Sequence, residues 1–251
     1  MSSEIELPLK AIVQKRNAMK TVIRSVHVIV GAIAFWSSCM SSAQTLADNT
    51  KTLPPFTKVF FDVSGDLEII PSPRFSYSIR AEQKVATAIV LEVSKDSLRI
   101  FAPNGYRTSQ AVKITLHVPT LAMLTSEASG NLLIGAIECQ RFKLVASGSG
   151  SVNVPSLACA RLDLNATGAG DILMAGRTDT LAIESSGSGL IDARSLVAAD
   201  VSVKQLGSGD ISVHATRSLT GVLDGAGDLR FRGPAKPSVT INGAGGVRKL
   251  P

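Results

Sequence analysis

Aromatic side chains are scarce in this chain. Phe, Trp and Tyr make up 4% of its 251 residues, whereas hydrophobic residues make up 45%. The chain is long enough for one sizeable core, but Val, Ile, Leu and Ala have to build it, which suits a narrow interior. The scarcity also disfavours an aromatic platform for carbohydrate, because the regular part of the chain holds only Phe142 and Phe231, both at inward positions of their strands.

Histidine and net charge are limited as well. His27 falls in the N-terminal segment, and His117 and His214 are lone strand residues far apart in the sequence. We therefore predict no metal site and no cofactor. The formal charge is +6, but only 21 Lys/Arg and 18 Asp/Glu remain once the first 43 residues are removed. Such a small and scattered excess does not predict a nucleic-acid surface.

Long hydrophobic runs are missing too. The longest extends from Val26 to Trp36, which is shorter than the roughly 20 residues that a membrane-spanning helix needs. Lys20 and Arg24 precede this run and Ser41-Ser42-Ala43 follows it, a pattern typical of a secretory signal peptide cleaved after Ala43. A membrane anchor is the alternative. The mature chain is then exported, to the periplasm or the cell surface, with no transmembrane domain.

Two residues of this segment leave alternatives open. Met19 directly precedes the signal pattern and is an alternative start to Met1. Cys39 would be the attachment site of a lipoprotein, but Trp36-Ser37-Ser38 lacks the Leu that usually stands three residues before such a cysteine. The chain then divides into an extension with signal peptide (1–43), a polar linker with a double proline (44–55) and a β domain (56–251), which is irregular over 56–118 and regular over 119–251.

A glycine-rich phrase recurs through the second half of the chain. Its last glycines are Gly130, Gly150, Gly170, Gly189, Gly209, Gly227 and Gly245, with spacings of 20, 20, 19, 20, 18 and 18 residues. A fixed period indicates a repeat architecture. The phrase is typical of a turn, because glycine accepts positive φ and a following acid can bond to the local backbone. These turn-capping acids are Asp66, Asp171, Asp210 and Asp228.

Apolar and polar residues alternate on both sides of each turn. The pair after the turn, the first segment of each unit, is Leu132/Ile134, Val152/Val154, Ile172/Met174, Ile191/Ala193, Ile211/Val213 and Leu229/Phe231. The pair before the next turn, the last segment, is Phe142/Leu144, Leu162/Leu164, Leu181/Ile183, Val201/Val203, Leu219/Gly221 and Val239/Ile241. A middle apolar position occurs at Ile137, Leu157 and Leu196. This period of two predicts short half-buried strands.

A unit of this size cannot bury its apolar face alone, but stacked units share one apolar axis. We therefore predict an all-β fold, a parallel β-helix (β-solenoid) of coils of about 18–20 residues with strands about 4.8 Å apart. Residues 56–118 are expected to form irregular β-rich coils before it. Their predicted strands are 59–63, 67–70, 77–81, 88–93, 98–101 and 112–118, with a surface loop at 102–111.

Three motifs in order carry a family resemblance. They are Phe60-Phe61-Asp62-Val63-Ser64-Gly65-Asp66-Leu67-Glu68-Ile69, Asp96-Ser97-Leu98-Arg99-Ile100 and Val112-Lys113-Ile114-Thr115-Leu116-His117-Val118-Pro119-Thr120-Leu121. Followed by the repeated glycine turns, they resemble the putative autotransporter adhesin head GIN domain family, and the resemblance covers nearly all of the mature chain. It implies an exported bacterial protein with a β-helix fold, and the family name suggests adhesion.

Catalytic chemistry has one candidate pair. Asp210 and Asp228 occupy equivalent places in neighbouring coils, a separation that suits two carboxylates acting on a glycosidic bond. The same column holds Asn131, Ser151 and Leu190, however, and no His, Arg or Lys converges on it in the pattern. We therefore predict capping and no catalytic residue, so the chain is not expected to be an enzyme.

Cys139 and Cys159 each stand nine residues after a marker glycine. In-register stacking places their Cα atoms near 4.8 Å, within the range that a disulfide accepts. Export into an oxidising compartment permits such a bond. Two buried thiols, stacked as small apolar groups, are the alternative.

If the chain binds a partner without catalysis, the outward positions of the last segment are the candidate binding residues. These are Lys143, Asp163, Ser202, Val145, Asn165, Glu184, Lys204, Thr167, Ser186, Asp224 and Asn242. At the C-terminal end, charge and proline are expected to protect the open strand edge or to form a docking surface. These residues are Arg230, Arg232, Pro234, Lys236, Pro237, Arg248, Lys249 and Pro251.

The functional prediction is an exported non-enzymatic envelope or surface protein, an adhesin-like module that presents a long β face to an unidentified protein or glycan at the cell envelope. Two alternatives stay open. One is a polysaccharide-active β-helix enzyme, a lyase or hydrolase, and the other is a purely structural envelope protein. The sequence does not predict the oligomeric state.

Overall fold

The computed structural model describes residues 46–47 and 50–251, which form 18 strands and one short helix. The strands are β1 (Leu46–Ala47), β2 (Lys51–Thr52), β3 (Lys58–Asp62), β4 (Asp66–Pro71), β5 (Ser76–Glu82), β6 (Val90–Ser94), β7 (Ser97–Phe101), β8 (Lys113–Val118), β9 (Met123–Ser126), β10 (Leu132–Ile134), β11 (Ile137–Ala146), β12 (Val152–Ala166), β13 (Ile172–Ser185), β14 (Ile191–Gln205), β15 (Ile211–Leu223), β16 (Leu229–Arg232), β17 (Lys236–Ile241) and β18 (Val247–Lys249). The helix is α1 (Gln83–Ala88). The predicted signal peptide and Cys39 lie outside the described residues. Within them, no helix is both long and apolar enough to cross a bilayer.

Strands β10 to β18 form the predicted solenoid, here called the stack. Each coil pairs in parallel with the next, and the first apolar residue of every first segment falls into one column: Leu132, Val152, Ile172, Ile191, Ile211 and Leu229. All six side chains are buried. The predicted parallel β-solenoid with coils of about twenty residues is therefore confirmed.

The last segments stack in the same way until the final coil. Phe142, Leu162, Leu181, Val201 and Leu219 share one column and are fully buried. In the final coil, Val239 pairs with Gly221 and Ile241 with Leu223. The sequence pattern had aligned Val239 with Leu219, so the observed register differs by two residues, and Pro237 takes the expected place of Val239.

The marker glycines are required by close approach of the coils and not by positive φ. Among the described glycines, positive φ occurs at Gly105, Gly176 and Gly233, so the expected turn conformation was wrong for the markers. A Cβ atom added at Gly150 would come closer than 3.0 Å to the carbonyl oxygen of Gly130, a distance that Cβ atoms essentially never show. The same holds at each marker against the turn of the preceding coil, which makes the turns an uninterrupted ladder of backbone against backbone.

Residues 51–126 form the cap, a curled mixed sheet at the N-terminal end of the stack. Strand β4 pairs in parallel with β10, and β9 pairs in parallel with β11, so both continue the columns of the stack. Strand β3 lies between β9 and β7, and β4 lies between β10 and β8. The outermost strands, β5 and β6, run antiparallel to β8 and β7. The region predicted as irregular coils is thus a sheet whose neighbouring strands do not follow each other in sequence.

Two local predictions differ from the structure, and a third agrees with it. The predicted strand 88–93 begins later, at Val90, because α1 occupies residues up to Ala88 and buries Val85. The predicted linker contains the two-residue strands β1 and β2, both antiparallel to β5. The loop predicted at 102–111 does separate β7 from β8, and its Tyr106 hydroxyl donates a hydrogen bond to the Ser64 carbonyl oxygen at 2.6 Å.

Candidate binding face

The polar face is the outward surface formed by the last segments of the coils. Register places Lys143, Asp163, Ala182 and Ser202 in one column and Val145, Asn165, Glu184 and Lys204 in the next. The buried side chains of Leu164, Ile183 and Val203 lie on the opposite side of the same strands. Since every coil contributes equivalent positions, the face follows the long axis of the stack.

A shallow groove of about 390 Å³ lies on this face. Its polar lining residues are Lys143, Asp163, Asn165, Glu184, Ser202 and Lys204. The groove thus lies where the predicted outward residues of coils one to four meet. Its walls present hydroxyl, amide, ammonium and carboxylate groups, the donors and acceptors that a polar partner requires.

Charges of both signs are paired across and along this face. Lys204 Nζ lies 2.9 Å from Glu184 Oε1, and this hydrogen bond raises the pKa of Lys204. Asp163 accepts the Arg161 Nε hydrogen at 2.9 Å, which raises the pKa of Arg161. Lys143 is exposed, and no ion pair engages it among the described residues.

Asn165 carries an unused acceptor at the centre of the groove. Its Oδ1 atom is buried and receives no hydrogen bond from the described residues. Thr125 Oγ1, two coils below in the same column, is in the same situation. Buried polar atoms in native proteins are usually satisfied, so both atoms are groups that a bound partner or water would satisfy.

The polar face continues onto the cap, where it gains aromatic side chains. The column of Val145 and Asn165 extends through Thr125 and Phe60 to Arg99. Arg99 lies over the ring of Phe101, 4.5 Å from its centre, and both Phe60 and Phe101 are half-buried. Both lie outside the regular repeat, so the pattern of the repeat did not predict them. Phe60 stands at the opposite phase to the buried Phe61, which is the signal that could have revealed it.

A second groove, of about 780 Å³, runs over the glycine turns. Thr167, Ser186, Leu206 and Asp224 line it, and the rest of its lining is Gly, Ala and Ser. Leu206 is 42% exposed there. This groove borders the polar face but offers few side-chain groups to fix a ligand.

The turn-capping acids bond between coils and not within their own turns. Asp66 Oδ1 accepts the backbone N–H of Asn131 at 2.8 Å. Asp171 does the same for Leu190 at 2.9 Å, and Asp210 for Asp228 at 2.8 Å. Each acid therefore ties its coil to the equivalent residue of the next one, which is a structural role.

Asp210 and Asp228 do not form a free catalytic pair. Arg230 lies 2.8 Å from Asp210 Oδ2 and 3.3 Å from Asp228 Oδ2, so a basic residue converges on the pair although the sequence pattern showed none. Asp228 Oδ1 accepts the N–H of Gly246 at 3.0 Å. The signal was available, because Arg230 stands two residues after Asp228 and hence on the same side of the strand. Both carboxylates are engaged by structural donors.

Cys139 and Cys159 are joined by a disulfide between the first two coils of the stack, with Cα atoms 4.6 Å apart. Cys159 is buried and Cys139 half-buried.

The two histidines of the β domain are far apart, as the sequence predicted. His117 lies on β8 and His214 on β15, and both are half-buried. Across residues 46–47 and 50–251, no three His, Cys, Asp or Glu side chains are grouped as a metal site requires.

Known proteins share this architecture. The family model described as "Putative auto-transporter adhesin, head GIN domain" matches residues 55–235. No curated protein was found to be similar to the chain. Solved structures with the same fold include a putative adhesin from Bacteroides fragilis, with a TM-score of 0.79 and 24% identity over 83% of this chain and 98% of that one.

Two further structures show the same fold. A putative adhesin from Parabacteroides merdae has a TM-score of 0.65 and 17% identity, covering 83% of this chain and 98% of that one. A structure from Parabacteroides distasonis, described as a putative lipid binding protein, has a TM-score of 0.58 and 22% identity, covering 81% and 97%. The family match spans both the cap and five coils of the stack. The chain therefore belongs to the head GIN domain family of putative auto-transporter adhesins.

Proposed function

We propose that this chain is an exported, non-enzymatic protein of the cell envelope or surface that binds a protein or glycan partner along its polar face. The observation that carries the proposal is the groove over coils one to four, where Lys143 is exposed outside any ion pair of the described residues and the buried Asn165 Oδ1 lacks a hydrogen-bond partner. Family membership supports adhesion as the purpose of such a face.

The aromatic end of the polar face supports a glycan as one class of partner. Sugar rings pack on aromatic surfaces, and Phe60 and Phe101 provide such surface in line with the groove. The groove itself supplies the amide, hydroxyl and charged groups that would orient hydroxyl-rich or peptide ligands.

Binding is tested with two matched variants of the full chain. Ser202→Arg places a long side chain in the groove, whereas Ser156→Arg makes the same change at an exposed position outside it. Protein and glycan pools from an envelope extract are passed over each immobilised protein. We expect Ser202→Arg to lose at least about tenfold in captured partner, equal to about 1.4 kcal/mol, and Ser156→Arg to bind like the wild type. Equal capture by all three proteins would contradict the proposal.

The enzymatic alternative is tested on the same polysaccharide pools. Incubation with the chain is expected to release neither new reducing ends nor unsaturated sugars, because Arg230 and backbone donors engage Asp210 and Asp228. Product that disappears in an Asp210→Asn variant would establish the polysaccharide-active enzyme instead. If no pool binds at all, the purely structural role is the remaining interpretation.

Export is tested by fractionating cells that express the full chain. We expect the envelope fraction to contain a protein whose N-terminal residue is Gln44, as cleavage after Ala43 predicts. An intact N-terminus or a lipid on Cys39 in that fraction would identify the membrane anchor or the lipoprotein.

A further inference from the structure

The C-terminal end of the stack is basic. From Leu229 to Pro251 the sequence holds five Lys/Arg and no Asp or Glu. Arg230 is engaged by Asp210 and Asp228. The other four are exposed and form no ion pair with the described residues: Arg232, Lys236, Arg248 and Lys249. Four positive charges outside ion pairs therefore lie at this end, of which Arg232 also interacts electrostatically with Asp192.

Apolar side chains lie inside this basic ring. Ile241 is at an inward position, since it pairs with the buried Leu223, yet it is 46% exposed because no coil covers it among the described residues. Val239, Val247 and Leu250 are half-buried at the same end. We call Arg232, Lys236, Ile241, Arg248 and Lys249 the basic tip.

The backbone of the tip disfavours a strand-donating protein as the occupant. Asn242 donates its N–H to the Leu223 carbonyl oxygen, so by strand alternation the N–H groups at positions 237, 239 and 241 face the open edge. Position 237 is a proline and has no N–H to give. Lys249 pairs with Phe231 and so occupies an inward position, where it meets anything stacked end-on.

A second copy is disfavoured for an electrostatic reason. Two such tips brought end to end would place four positive charges against four others, and the nearby acids Asp210 and Asp228 are already engaged by Arg230 and Gly246. Edge protection explains Pro237 and Lys249, but it does not require that every acidic residue be missing over 23 residues or that Ile241 stay exposed. A flat anionic surface with an apolar interior matches both the charge and the apolar centre.

We propose that the basic tip docks on an anionic phospholipid bilayer, with Arg232, Lys236, Arg248 and Lys249 among the headgroups and Ile241 below them. Lys and Arg near an anionic membrane surface each strengthen binding roughly fivefold, and an apolar side chain inserted at the interface adds to this. The stack then stands on the membrane by its C-terminal end, and the polar face runs away from the bilayer. This inference does not depend on what the polar face binds.

The experiment measures partitioning of the full chain onto sedimented vesicles. One set is pure phosphatidylcholine and the other contains ~30% phosphatidylglycerol. The tip variant Arg248→Glu/Lys249→Glu is compared with Arg80→Glu/Arg107→Glu, which makes the same charge change at exposed positions of the cap. Residues 1–43 are present in every sample, so differences between variants report the tip alone. Circular dichroism of each variant verifies the β fold.

We expect the wild type to prefer the anionic vesicles and the tip variant to lose at least about 25-fold in partition coefficient, since it removes two cations of about fivefold each. The cap variant should stay within about twofold of the wild type, because its charges lie beyond the screening length. Ile241→Ser should weaken binding about threefold to tenfold through lost apolar contact.

Three results would overturn the proposal. Equal partitioning of the wild type onto neutral and anionic vesicles would show that charge does not drive docking. Equal losses in the tip and cap variants would remove the assignment to this end. Binding of polyglutamate together with indifference to phosphatidylglycerol would identify an acidic protein as the partner. A steep loss of vesicle binding as salt rises from about 0.1 M to about 1 M would support it.

Discussion

The stack and the cap use the same strand direction at their junction but are assembled in different ways. In the stack, each coil contacts the coil that precedes it and the coil that follows it in sequence, so Leu132 meets Val152 twenty residues later. In the cap, β3 lies between β7 and β9, so Phe61 meets Ile100 on one side and Ser126 on the other. Local repetition builds one region, and long-range insertion builds the other.

Because of this difference, we expect substitutions to affect the stability of the two regions in different ways. Nearest-neighbour contacts make the stability of a solenoid close to a sum over coils and their interfaces. The cap instead joins segments that are distant in the chain, and it packs aromatic rings together, as in the pair Phe56 and Phe75 with ring centres 5.0 Å apart. We expect the stack to be sensitive to anything that separates coils and the cap to be sensitive to loss of its inserted strands.

The largest loss of stability is expected at a glycine turn, where neighbouring coils leave no space for a side chain. Gly168→Ala places a Cβ atom against the Gly148 carbonyl oxygen, so the coils must separate. We expect the free energy of unfolding to fall by at least about 5 kcal/mol. Gly246→Ala is the matched control, because the nearest atom to its added Cβ is Asp228 Oδ1 at 3.6 Å. Denaturant melts of both variants measure the difference, and equal stability would refute the close-approach argument.

The next largest effect tests the inserted strand of the cap. Phe61→Ala removes a buried ring of β3 and should lower the free energy of unfolding by about 4 kcal/mol. Because β3 links β7 to β9, amide exchange should quicken in β7 and β9 while β13 and β14 keep their protection.

Phe142→Ala is the matched control, since it removes an equally buried ring from the first coil of the stack. Its exchange should quicken in β9 and β12, the neighbours of β11. A uniform loss of amide protection in both variants would show that cap and stack unfold as one unit. The two regions would then not differ in how they lose stability.

The repeat made the stack predictable. A glycine every twenty residues and an apolar pair after it were enough to align Leu132, Val152 and Ile172, and the same alignment brought Cys139 opposite Cys159. Two predictions failed there: the register of the final coil, where Pro237 takes the place expected for Val239, and the backbone conformation of the marker glycines. Nothing in a Gly-Ser-Gly phrase distinguishes a residue chosen for φ from one chosen because a carbonyl oxygen lies beside it.

The cap could not be derived in the same way. Its strands were recognisable by alternation, but β3 carries no mark that assigns it a place between β7 and β9, since pairing over 39 and 65 residues follows from the whole sheet. Within the repeat, the outward positions of the polar face, such as Lys143, Asn165 and Lys204, followed from the sequence pattern. Its continuation to Phe60 and Phe101 depended on the cap topology and was therefore missed.

A smaller effect is expected from the disulfide next to the junction. Cys139→Ser/Cys159→Ser opens a loop of 20 residues and should cost about 3 kcal/mol of unfolding free energy. Alkylation of the unreduced mature protein followed by mass measurement should label neither cysteine. Reduced wild type should melt like the double variant. Two labelled thiols in the unreduced protein would establish the buried-thiol alternative.

The last prediction uses two carboxylates as probes of the two kinds of pairing. Asp200 pairs with Arg217 of the next coil, and hydrogen bonds from Arg217 and Ser218 lower its pKa to about 2. Asp96 pairs with Lys58 of the inserted strand β3 at 3.0 Å, which lowers its pKa as well. Both carboxyls bind protons less tightly in the folded state, so their contribution to stability is full above the ordinary pKa of 3.8 and is lost as pH falls below it. For Asp200 the loss extends through a pH of about 2.

Arg217→Ala should return the pKa of Asp200 toward 3.8 without changing that of Asp96, and Lys58→Ala should do the reverse. Carboxyl carbon NMR during an acid titration measures each one. Because both pairs are exposed to solvent, we expect neither variant to change stability measurably at neutral pH. If Lys58→Ala leaves the pKa of Asp96 unchanged, β3 does not lie beside β7, and the out-of-order insertion that distinguishes the cap from the stack is wrong.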